Sequence, residues 1–121
     1  MWSSDGEGLS WQIVNSTWTM SQRIFPNAAS SSSGSLYVAG GLAGFDRFFG
    51  SMYKSDDGGI TWVDVTSSED RGRGEGVLPM QAFESAMGHM QELNGCMVVV
   101  GGYTRTGSAF SYLDQVWRAS P

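Results

Sequence analysis

The chain has 121 residues, a formal charge of −5, one cysteine and one histidine. That length suits one small domain or two small repeats, and the acidic balance argues against a nucleic-acid partner, which calls for a basic face. A lone cysteine excludes an intrachain disulfide and a thiolate metal cluster, and neither a signal peptide nor a membrane span of ~20 apolar residues is visible.

In chain order, residues 1–4 read as a strand, 5–8 as a Gly-containing turn and 10–14 as the returning strand. Residues 15–26 form a connection carrying Trp18, Arg23, Phe25 and Pro26. Residues 27–33, rich in Ala and Ser, have a linker's composition but stand where an inner strand is expected. A firm strand over 35–39 ends in Gly40-Gly41, and a loop follows with Phe45, Arg47, Phe48 and Phe49. Two aromatic and β-branched runs, 51–54 and 60–65, then flank Asp56-Asp57-Gly58-Gly59, the sequence signal of a tight hairpin. The polar stretch 66–79 holds Arg71 and Arg73 and reads as a surface connection. Residues 81–88 have the chain's one helical claim, against an inner strand expected over 87–93. Asn94-Gly95 is a strong two-residue hairpin turn into the strand 96–100. After Gly101-Gly102 comes a loop over 103–111 with Tyr103 and Arg105, and then a last strand over 112–119.

These elements repeat. Trp2 stands to Tyr53, and Trp11 to Trp62, at the same offset of 51 positions, and Trp117 opens a third copy of the same strand. The run Leu36-Tyr-Val-Ala-Gly40-Gly41 returns as Met97-Val-Val-Val-Gly101-Gly102. Periods near ~50 residues with four short strands apiece belong to β-propeller blades.

The second copy carries Gly88-His89, Leu93-Asn94-Gly95, Gly101-Gly102 and Leu113-Asp-x-Val-Trp117, and it strongly resembles a kelch repeat. The turn Ser55-x-Asp57-x-Gly59-x-Thr61-Trp62 resembles the Asp-box of sialidase-like propellers. The resemblance implies an all-β chain, a partial kelch-like β-propeller of roughly two four-stranded antiparallel blades. Residues 1–14 would be the c–d hairpin of a preceding blade, 27–65 a complete blade, and 87–121 a blade without its outer strand. It also implies that Ser55, Asp57, Gly59, Thr61 and Trp62 are structural turn residues. The pattern departs from the family in two places: Ser85 and Ala86 stand near the place of an Arg before Gly88-His89, and Gly6 matches Asp57.

The chemistry of the residues points away from catalysis. One histidine, His89, gives no His-rich metal site, and a strand-bonding role suits it better than a catalytic one. Asp56 and Asp57 are a carboxylate pair, yet in an Asp-box such a pair stabilises the turn. The few arginines are scattered, so the arginine set of a sialidase does not assemble, and one Cys with one His hardly supports a copper centre. The Gly-Gly pairs lack the helix start of a phosphate loop and read as strand ends. No cofactor is expected.

In a propeller the long loops of this chain share one face. Trp18, Arg23, Phe45, Arg47, Phe48, Phe49, Arg71, Arg73, Tyr103 and Arg105 fall on it, and aromatic residues with Arg are the composition of binding hot spots. The expectation is a non-catalytic binding module for a protein partner. A glycan-binding, lectin-like propeller with Trp2, Trp18 and Tyr103 as stacking platforms is the alternative, and a piece of a sialidase-like glycosidase comes third. Two blades cannot close a ring, so either copies associate as a homo-oligomer or the remaining blades belong to a longer chain.

Overall fold

The structure, a computed structural model, describes residues 1–14, 20–44, 47–49, 51–65, 89–106, 109–112 and 116–118. Among these residues the chain is all-β, with thirteen strands and no helix. They are β1 (Trp2–Ser3), β2 (Gln12–Ile13), β3 (Asn27–Ser30), β4 (Leu36–Ala39), β5 (Leu42–Ala43), β6 (Arg47–Phe48), β7 (Met52–Ser55), β8 (Val63–Asp64), β9 (His89–Leu93), β10 (Cys96–Val100), β11 (Tyr103–Thr106), β12 (Ala109–Tyr112) and β13 (Val116–Arg118). All pairings are antiparallel, as short connections between β-rich runs require.

The largest sheet has the order β3-β4-β7-β8, and a second has the order β9-β10-β13. Their registers coincide. Val38 pairs with Ala28 on one side and Tyr53 on the other, and Val99 pairs with Met90 and Trp117 in the same way. The β1–β2 hairpin repeats β7–β8, with Trp2 opposite Ile13 as Tyr53 is opposite Asp64. The internal repeat read from the sequence is therefore a repeat of hydrogen-bond register.

Between the two sheets lies the core. Ala39 and Met52, with Tyr37 and Ala29 beside them, pack against Met90, Met97 and Val99. Side chains alternate along a strand, so each sheet contributes one face. Burying a methionine or valine side chain stabilises by about 1.5–3 kcal/mol. A charge at Val99, which is fully buried, would break this contact first. Glu92 ties the sheets at their turn end, accepting from the Ser32 amide, from Ser32 Oγ at 2.9 Å and from the Gly95 amide at 3.1 Å. Hydrogen bonding by the Ser32 backbone, above all, lowers the Glu92 pKa from its usual value.

Asn94 and Gly95 have φ of 52° and 80°, the positive pair that a two-residue type I′ hairpin demands. Several expected boundaries differ. The serine run 27–33 divides: β3 stops at Ser30, and Ser31–Gly34 make a turn closed by the Ser31 amide on Ser35 O at 2.8 Å. The loop expected over 40–50 contains the β5–β6 ribbon, and that expected over 103–111 contains β11–β12. The strand expected over 112–119 is two strands, since Tyr112 ends β12 and β13 starts at Val116. Ile60 belongs to the turn, and β8 starts at Val63. The helical claim over 81–88 lies outside the described residues.

Candidate functional site

At the end of the sheets opposite Asn94-Gly95, the two glycine pairs redirect the chain. Gly40 and Gly41 have φ of 64° and 86°, and Gly101 and Gly102 have 66° and 100°. These left-handed angles turn the chain after β4 and after β10 out of its sheet and into a ribbon. At Gly41 a side chain is also excluded by space: a Cβ would stand 2.9 Å from Ile24 O and 3.1 Å from Pro26 Cα. That close approach lets Ile24 and Leu42 exchange both backbone bonds, at 2.9 and 3.0 Å.

Arg23 fastens this corner. Its Nη1 donates to Gly40 O at 2.8 Å, Nη2 to Ser51 Oγ at 3.2 Å and Nε to Ser21 O at 3.3 Å. The guanidinium lies 4.4 Å from the centre of the Phe49 ring and 5.4 Å from that of Tyr53. Burial lowers its pKa, with Tyr53 and Asp64 opposing. Arg23 and Phe49 are thus engaged inside the corner.

Phe48 and Tyr103 do something different. They bring the two ribbons together edge to face, with centroids 5.7 Å apart and planes at 89°, and Tyr103 meets Phe110 at 6.0 Å. The row runs from β6 to β11 and β12, and it joins ribbons that spring from different sheets. Phe110 and Tyr112 on β12 are exposed, as are Ile24 and Phe25 on the neighbouring connection. Phe25 has φ of 51°, a rare backbone conformation for a bulky residue. Arg47 and Arg105 lie on β6 and β11, and their side chains are outside the described residues, as are Trp18, Phe45, Arg71 and Arg73 altogether.

Ile24, Phe110 and Tyr112 were missed as site residues. The signal was present: Tyr103-x-Arg105 and Phe110-x-Tyr112 alternate with period two on either side of Gly107, which is ribbon patterning.

The Ser55–Trp62 turn lies at the opposite end. Ser55 Oγ donates to Asp57 Oδ1 at 2.8 Å and accepts from the Gly59 amide at 2.8 Å. Asp57 accepts from the Thr61 amide at 2.8 Å and from the Thr61 hydroxyl, and Trp62 Nε1 donates to Gly59 O at 3.0 Å. Bonds from Thr61 are the main cause that lowers the Asp57 pKa to about 2. Asp56 is lowered by its bond from Ser35, then by Lys54, whose Nζ is 2.9 Å away. Both carboxylates are spent on their own surroundings. His89 bonds Gln91 at 3.3 Å, Cys96 is buried, and no group of three metal-ligating side chains occurs among the described residues. No protein-family model and no curated protein matches the chain.

Proposed function

We propose that the two main sheets are consecutive blades of a kelch-like β-propeller, and that the chain is a non-catalytic module binding a protein partner through its ribbon end. One observation carries the reading: the Phe48–Tyr103–Phe110 row joins the ribbons of both sheets and continues into exposed Phe110 and Tyr112. Rigid aromatic rings on a well-braced corner supply contact area at low entropic cost, which is how binding hot spots are built. The matching registers of the two sheets and the glycine pairs support the blade assignment. The absence of catalysis is supported by how the carboxylates are used, since Asp56 and Asp57 hold a turn at the other end.

The test is a partner-recovery comparison between the wild type and a Phe110→Ser, Tyr112→Ser double variant whose thermal melt matches it. Loss of a specific protein from the variant supports the reading, and identical partner sets overturn it. A glycan array run on both proteins gives the other arm. A specific hit that disappears in the variant moves the ligand from protein to carbohydrate.

A further inference from the structure

The stacking of the sheets obeys one rule, seen twice. Ala39 and Met52 project from one side of the four-stranded sheet, here its front, onto Met90, Met97 and Val99 on the back of the three-stranded sheet. Met1 holds in the β1–β2 hairpin the place that Met52 holds in β7–β8, and it packs on Gly59 in the turn between β7 and β8. Each unit stacks on the next in chain order.

Two surfaces of the same kind stay bare. Val100 and Val116 match Ala39 and Met52 in register; they are 41% and 66% exposed, whereas Ala39 and Met52 are 0% and 8% exposed. At the other end, the back of β3 carries Ala28, the equivalent of buried Met90, and Ala28 is exposed. The β1–β2 hairpin covers the β7–β8 turn and is only half of a four-stranded unit.

We propose that these surfaces bind a second copy of the chain, head to tail. The front of β9–β10 from one copy lies on the back of β3–β4 in the next, continuing the interface already present within the molecule. Strand β10 takes β1 of that next copy as its neighbour, giving the order β9-β10-β1-β2 that repeats β3-β4-β7-β8. Strands β1 and β13 match the same strand of the repeat, β7, and one place exists beside β10. In the assembly β1 takes that place from β13, because it brings β2 with it as the fourth strand. The bare edge of β1 becomes a paired one, and β13 is released from β10. The aromatic row at the ribbon end plays no part in this contact.

Native mass spectrometry and sedimentation velocity of the purified chain test the proposal. The wild type is expected to form concentration-dependent oligomers. Ala28→Lys and Val100→Lys each place a charge in the junction at a position exposed within one copy, so folding is preserved and association falls by at least about tenfold. Mixed in equal amounts, the two variants retain one intact junction and form dimers, a complementation that a symmetric contact would not give. Val116→Pro weakens the hold of β13 on β10 and raises association. A monomeric wild type at all concentrations overturns the proposal, as does a mixture that stays monomeric. Association unchanged or lowered by Val116→Pro overturns the exchange of β13 for β1.

Discussion

The Ser55–Trp62 and Ser4–Trp11 turns occupy the same place in the repeat and share a backbone plan. In each, the indole donates to a glycine carbonyl: Trp62 to Gly59 at 3.0 Å and Trp11 to Gly8 at 2.9 Å. Both glycines have positive φ, 90° and 77°. Their polar interiors differ. Ser55 Oγ has partners in Asp57 and Gly59, whereas Ser4 Oγ is shielded from solvent and has no partner among the described residues. The cause is one position, since Gly6 stands where the second turn has Asp57, and Ser10 bonds Asp5 instead, at 2.9 Å. The shape of the turn therefore follows from the glycine and the indole, and the carboxylate adds satisfaction of buried polar groups. Burial differs for another reason. Trp62 is 6% exposed and Trp11 61%, in keeping with the neighbouring hairpin that Met1 lays against the second turn.

The comparison breaks most visibly at the two indoles. Trp62→Ala removes a buried ring and should cost about 3–5 kcal/mol of stability, whereas Trp11→Ala, at an exposed ring, should stay within about 0.5 kcal/mol. Urea denaturation followed by the remaining tryptophans measures both. Equal losses would mean that the first turn is covered in solution as the second is. Next come the serines. Ser55→Ala strands the Gly59 amide and should cost about 1–3 kcal/mol, while Ser4→Ala, removing a hydroxyl with no partner, should be neutral or slightly stabilising.

Acid separates the turns in a third way. The Asp57 pKa is lowered to about 2 by bonds from Thr61 and Ser55, against an unfolded value near ~3.9. A carboxylate lowered in the folded state contributes stability that is complete above the unfolded value. That contribution is lost as pH falls through the folded one. Stability should therefore decline between about pH 4 and pH 2, and Asp57→Asn should remove this part of the decline. Carboxyl NMR titration of the wild type checks the assignment directly. A midpoint for Asp57 near the ordinary carboxylate value would show that the Thr61 bonds do not persist in solution.

The same contrast explains what could be read in the sequence. Hairpins closed by Asn94-Gly95 and by residues 56–60 were legible because positive-φ glycines flanked by β-branched and aromatic runs permit little else. The repeat was legible because Trp, Tyr and Gly-Gly recur at register-conserving offsets. Whether Trp11 would be buried like Trp62 was not legible, since burial depends on a neighbour from elsewhere in the chain. The candidate site was half legible for a similar reason. The aromatic and Arg composition marked the right end, yet it could not separate Arg23 and Phe49, engaged inside the corner, from Phe48 and Tyr103, which join the ribbons. The ribbons themselves lie in runs of four residues or fewer, so the period-two pattern of Tyr103-x-Arg105 and Phe110-x-Tyr112 is present but too short to separate a ribbon from an aromatic loop.

The smallest effect is also the sharpest test of what the carboxylate does. A side chain at Gly6 meets nothing within 4 Å, and Gly6, unlike Gly8, does not have positive φ. Gly6→Asp is therefore free of steric and backbone strain, and it places a carboxylate where Asp57 stands in the second turn. The new group should accept from the Ser4 hydroxyl and from Ser10, drawing Ser10 away from Asp5. Replacing a glycine at a compatible angle narrows the unfolded ensemble and by itself stabilises by about 0.4–1 kcal/mol. The bond to Ser4 should add about 0.5–1.5 kcal/mol. Gly6→Ala separates the two contributions, because it supplies the entropic part without the carboxylate. If Gly6→Asp gains no more than Gly6→Ala in denaturant melts, the carboxylate does not satisfy Ser4. The difference between the turns would then lie in their packing and not in Asp57.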